Sequence, residues 1–109
     1  MTEQPKVLVT DVATLGTSAG QDGYAEFLRV PAMSMGVFAA SPGFIDTQEP
    51  HAEDEVYVIS AGTAVLEIAG ERHSVGPGSI AFVPARVPHR FLEISTDLRV
   101  LVVFAPAET

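Results

Sequence analysis

Gly43-Phe44-Ile45-Asp46-Thr47-Gln48-Glu49-Pro50-His51-Ala52-Glu53-Asp54-Glu55 concentrates acid and imidazole immediately ahead of an apolar run that reaches Gly62. In an extended chain, residues two apart project from the same face, so Glu49 and His51 point together and Glu55 shares their parity. One short segment therefore offers three convergent side chains able to bind a metal. A second stretch, Gly78-Ser79-Ile80-Ala81-Phe82-Val83-Pro84-Ala85-Arg86-Val87-Pro88-His89, reads as a strand that ends at Pro84, turns, and delivers His89 at the start of the next strand.

Outward from these stretches, short runs rich in Val, Ile, Leu and Phe are separated by Gly and Pro, and no segment carries a helical stripe. Strands are expected over residues 6–10, 24–30, 33–40, 55–61, 63–68, 71–75, 79–83, 90–94 and 98–104, with 11–23 as loop. Ala69-Gly70 between two such runs is a tight hairpin signal, and Gly76-Pro77-Gly78 makes a second turn. Residues 55–61 and 98–104 are apolar at both odd and even positions, so both of their faces are expected to be buried. An all-β barrel satisfies this, with its outside covered by a second sheet or a second subunit. For a chain this short a homodimer is an economical source of that cover.

The 109 residues suit one domain, 1–109, and 47% hydrophobic against 18% charged residues is a globular composition. Six Lys and Arg face fourteen Asp and Glu, and the resulting charge of −8 argues against nucleic acid and anionic membranes as partners. A small molecule or another protein is the expected partner. The sequence has no cysteine, so any metal must be held by nitrogen and oxygen ligands. The first residues lack a signal-like apolar core, and the longest apolar run, 100–107, is too short to span a bilayer. A cytoplasmic location is the expectation.

Taken together, the two stretches resemble the cupin superfamily, whose motifs are G-x5-H-x-H-x3,4-E-x6-G and G-x5-P-x-G-x2-H-x3-N. Gly43, His51, Glu55 and Gly62 match the first motif, with Glu49 where the first histidine is usual; Gly78, Pro84 and His89 match the second, with Arg86 for glycine and Glu93 for asparagine. The resemblance covers about half the chain. It implies a double-stranded β-helix of jelly-roll type with one divalent metal inside, the ligands carried over being His51, Glu55 and His89. Glu49 joins them by position, because a carboxylate coordinates the same ions as imidazole and favours harder ones. Two carboxylates would cancel the charge of the ion, making it a milder Lewis acid. Zn, Mn, Fe and Ni all suit such a site.

Other residues carry weaker signals. Glu53 and Asp54 read as a solvated acidic loop, and His73, outside both motifs, reads as surface or packing. Arg86 stands where a glycine's positive φ would strain a side-chain-bearing residue by roughly 1–2 kcal/mol, unless the turn differs. Arg86 or Arg90 would suit an anionic substrate, but arginines on an acidic protein more often pair with carboxylates. Met33, Met35, Phe38, Phe44, Phe91 and Phe104 read as core. Tyr57, two residues beyond Glu55, has a hydroxyl that needs a partner.

These features favour a metal-dependent enzyme acting on a small organic molecule, with Glu49 as general base if it is not a ligand and Tyr57 as a second catalytic candidate. Isomerase, lyase, decarboxylase and dioxygenase chemistry all occur on this fold. The alternatives are a binding or sensing module without catalysis, its metal structural or absent, and a metal-free barrel of the sugar-epimerase kind.

Overall fold

Gly and Pro divide the apolar runs into eight strands: β1 Gly23–Val30, β2 Met33–Ala40, β3 Asp54–Ala61, β4 Ala64–Ile68, β5 Glu71–Val75, β6 Ile80–Val83, β7 His89–Leu92 and β8 Leu98–Ala105. The structure is a computed structural model and describes residues 7–15 and 22–109. Two antiparallel sheets form, one in the order β1-β2-β8-β3-β6 and the other β5-β4-β7, the two-sheet jelly roll of a double-stranded β-helix. Residues 7–10, expected as strand, are not in one, and Val12–Thr14 form a short 3-10 turn. The expected loop 11–23 is otherwise only partly testable, because 16–21 lie outside the described residues. Among the described residues no helix is long and apolar enough to cross a membrane.

The Ala69-Gly70 hairpin forms as expected, with both central residues at positive φ (50° and 84°), which the twist of a two-residue hairpin demands. The inner faces of the sheets meet in a core that includes Leu66 and Phe91 from the small sheet and Tyr57, Ile59, Val100 and Val102 from the large one. Phe91 stacks on Phe38, with ring centroids 5.7 Å apart, and lies 5.1 Å from the Tyr57 ring.

The expectation that both faces of β3 and β8 are buried holds for the inner face only. Burial alternates along each strand, and the outward Val56, Val58, Leu101 and Val103 are half-buried. A strand has two apolar faces here, yet the small sheet covers one. Leu8, Val9, Val12 and Leu15 border an open groove on part of the outer face with Phe27, Met35 and Leu101, and Val9 itself is 91% exposed. The register carries that outer surface onto β6, where Ile80 is 74% and Phe82 57% exposed.

Candidate metal centre

Three of the residues singled out in the sequence come together at one end of the barrel. Glu55 lies at the start of β3, opposite Phe104 and Val83 in an inward-facing, buried row. His89 opens β7, opposite Ile68. His51 lies on the irregular segment that precedes β3, and that segment is tied to the β6–β7 turn by Arg86, whose backbone N–H donates to the His51 carbonyl at 2.6 Å. One ligand-type atom from each of His51, Glu55 and His89 falls within 4.8 Å of the other two, so the three could hold a metal ion.

The polar atoms of this group are oriented from behind. The His89 Nδ1–H donates to the Val87 carbonyl at 2.8 Å. A carbonyl only accepts, and a neutral imidazole has one N–H, so His89 Nε2 presents a lone pair. That lone pair lies 3.2 Å from Glu55 Oε1, with both side chains almost fully buried. Neither atom has a hydrogen-bond partner among the described residues. His51 is held in the same way: its Nδ1 lies 3.0 Å from Glu108 Oε2, which leaves Nε2 facing Glu55 Oε1 at 3.9 Å. In the neutral ring two buried acceptors face each other without a donor, which is costly; a cation between them, whether a proton on Nε2 or a metal ion, removes the cost. The donor set, two imidazoles and a carboxylate with outer oxygens orienting the rings, fits a divalent ion.

Titration follows the same surroundings. Burial alone would lower the His89 pKa, but the Glu55 carboxylate and the Val87 carbonyl outweigh it and the net shift is upward. Burial pushes the Tyr57 phenol far above its ordinary value, and the Glu55 charge adds to this. Burial also raises the Glu108 carboxyl; His51 draws it partly back, while Glu53, Glu55 and Glu26 reinforce the rise.

Glu49 is not brought to this group. It is exposed, whereas the neighbouring Gln48 turns inward and lines the cavity. The two-residue parity that paired Glu49 with His51 holds only in an extended strand, and residues 41–53 form none. The exposed side chain of Glu49 is also far from the role of general base in this cavity. Tyr57 does reach it: the buried hydroxyl donates to Gln48 Oε1 at 3.4 Å.

Three residues at the site were not singled out in the sequence. Asp46, 8% exposed, accepts from the buried Phe91 N–H at 2.8 Å and from Gln48 Nε2 at 2.7 Å. Gln48 carries no charge, and the acidic Glu49 beside it drew the reading away. Glu108 comes from beyond β8, where its N–H donates to Ser34 Oγ at 2.9 Å and its carbonyl accepts from Arg29 at 2.7 Å. Glu53 is corrected too. It is 4% exposed rather than solvated, and accepts from the Thr109 N–H and hydroxyl. Asp54 is exposed and accepts from the Ala85 N–H. His73 lies exposed on β5, and Arg90 pairs with Glu67 at 3.1 Å.

Asp46, Gln48, His51, Glu55, Tyr57 and Glu108 line a cavity of about 180 Å³, with Phe38, Val102 and Phe104 as its apolar wall and Tyr24 beside them. The Tyr24 ring lies across Gly36, where a Cβ would collide with it. Among the described residues, no Lys or Arg lines it.

A two-sheet jelly roll with a His-Glu-His group at its open end defines a cupin, and the comparison with known proteins agrees. The cupin domain family matches residues 36–104, and the chain belongs to that family. The uncharacterized protein SCO3923 of Streptomyces coelicolor is 49% identical over 92 residues, 84% of this chain and 88% of that protein. Among solved structures, TT1209 from Thermus thermophilus superposes with a TM-score of 0.76 at 24% identity, covering 91% of this chain and 97% of its own. A cupin superfamily protein from Desulfitobacterium hafniense gives 0.72 at 18% identity, covering 96% and 93%. At these identities the structures speak for the fold alone.

Proposed function

We propose that this cupin is a metal-dependent enzyme for a small organic molecule, with one divalent ion held by His51, Glu55 and His89. The observation that carries the reading is the pair of buried, unpartnered acceptors, Glu55 Oε1 and His89 Nε2, 3.2 Å apart. When bound, such an ion would polarise a substrate oxygen.

The surrounding side chains supply the remainder. Phe38, Val102 and Phe104 would pack on the substrate's apolar body and exclude water. Tyr57, its pKa raised by burial, keeps its proton and serves as a hydrogen-bond donor rather than a base. Glu108, which lines the cavity and lies 3.0 Å from His51 Nδ1, replaces Glu49 as the carboxyl placed to exchange a proton there. The choice among isomerase, lyase, decarboxylase and dioxygenase chemistry belongs to the substrate.

The test is elemental analysis of protein purified without a chelating tag, together with the His51→Ala and His89→Ala variants. One equivalent of Mn, Fe, Ni or Zn in the parent and little in either variant is the expected result. A parent that takes up none of the four after reconstitution would reject the proposal. The uncovered apolar face at Ile80 and Phe82 further supports a homodimer; sedimentation should show two chains, and Phe82→Glu should separate them.

A further inference from the structure

The cavity contains a fourth converging lone pair, on a side chain with no charge. We propose that Gln48 Oε1 is a direct ligand of the metal, an inference that rests on the His51, Glu55 and His89 reading above. The orientation of the amide is fixed from its other end. Gln48 Nε2 lies 2.7 Å from Asp46 Oδ2, and only the NH₂ group can donate to that carboxylate. Asp46 is itself immobilised by the Phe91 N–H and by the Gln48 N–H, so flipping the amide would set an oxygen against a buried carboxylate. Oε1 therefore points inward.

There it lies 3.2 Å from His51 Nε2. In ordinary circumstances this would be a hydrogen bond. With the ring neutral and its proton on Nδ1, facing Glu108 Oε2 at 3.0 Å, Nε2 is instead an acceptor. In that tautomer Gln48 Oε1 and His51 Nε2 are two acceptors 3.2 Å apart, the same separation as Glu55 Oε1 and His89 Nε2. His51 Nε2 links the two pairs: Gln48 Oε1 lies 3.2 Å and Glu55 Oε1 3.9 Å from it, and Glu55 Oε1 lies 3.2 Å from His89 Nε2. The Tyr57 hydroxyl, 3.4 Å from Gln48 Oε1, is the one neutral donor aimed at them among the described residues. Two imidazole nitrogens, one carboxylate oxygen and one amide oxygen form a four-donor set of the kind divalent first-row metals accept.

The assignment changes the charge of the centre. With Glu49 outside and Gln48 inside, one carboxylate faces a divalent ion, which leaves a net charge of +1 rather than zero. A bound substrate oxygen would then be polarised more strongly, and an anionic form of the substrate held more firmly.

The experiment measures Mn²⁺ and Zn²⁺ affinity by calorimetry on metal-free protein, and the electron paramagnetic resonance of the Mn²⁺ form, for the parent and for Gln48→Ala, Gln48→Leu, Glu49→Ala and His89→Ala. Loss of outer-shell partners already weakens metal binding roughly 10–100-fold, so Gln48→Ala should lose at least about tenfold and alter the Mn²⁺ spectrum. Gln48→Leu, which keeps the bulk of the side chain and removes its oxygen, should lose as much, and Glu49→Ala should match the parent. Parent-like affinity and spectrum in Gln48→Ala, with binding lost in His89→Ala, would overturn the Gln48 assignment and leave the three-residue reading intact. A parent that binds neither ion would overturn both. Circular dichroism of each metal-free variant separates misfolding from ligand loss, and Gln48→Leu, which fills the same place without an acceptor, decides the case if Gln48→Ala does not fold.

Discussion

Arg86 stands where the family's second motif has glycine, and its φ of 66° lies in the left-handed region that favours glycine. The left-handed region costs a residue with a Cβ roughly 1–2 kcal/mol, partly offset by the entropy a glycine loses on folding. Arg86→Gly should therefore stabilise the protein by about 0.5–1 kcal/mol in urea unfolding, while Arg86→Ala, which keeps the Cβ, should not. Glu93, at the motif's asparagine position, also has a positive φ, 48°. At this scale the sequence was legible where the family spacing applied: His51, Glu55 and His89 come together as their positions implied. It was misleading where a strand's two-residue alternation was extended into a loop. Pro50 and the irregular backbone around it exchange Glu49 for Gln48, and nothing in the local pattern announces the exchange. Glu108 was not legible at all, because its approach to His51 depends on the path of the chain after β8.

Among the elements, the small sheet is held together on its outer side by Glu67. It lies on the central strand β4, directly opposite Arg72 on β5 and Arg90 on β7, and bonds to both at 3.3 and 3.1 Å. The two guanidiniums hold its carboxyl below the ordinary 4.5. A folded-state pKa below the unfolded one means that the unfolded chain binds the proton more readily. The contribution is therefore present above pH 4.5 and is lost as pH falls through the lowered folded value. Glu67→Gln should melt below the parent at about pH 7 in low salt, by a small margin because the cluster is exposed. That margin should close as the pH is taken below about 4, and shrink in high salt. The strands themselves were readable from Gly and Pro punctuation and from the Ala69-Gly70 turn. The expected strand at 6–10 was not realised over residues 7–10, since an apolar run becomes a strand only where a neighbouring edge pairs with it.

For the molecule as a whole, the candidate site joins elements that are distant in sequence: the loop before β3, the start of β3, the start of β7 and the segment after β8. An ion bound there stabilises only the folded chain, because the unfolded chain does not hold these groups together. At a free concentration about 100 times its Kd, the ion should add about 2.7 kcal/mol, or roughly 10 °C in Tm for a chain of this size. Chelator should reverse the gain, and His51→Ala or His89→Ala should abolish it. A melting curve unmoved by any of the four ions would count against the centre. The placement of the aromatic residues has a consequence of another kind. The sequence holds two tyrosines and no tryptophan, and both tyrosines, Tyr24 and Tyr57, line the cavity beside His51 and Glu55. The protein's near-ultraviolet emission therefore originates at its one proposed reaction chamber, so quenching by an entering paramagnetic ion or an absorbing ligand would report occupancy with no label attached.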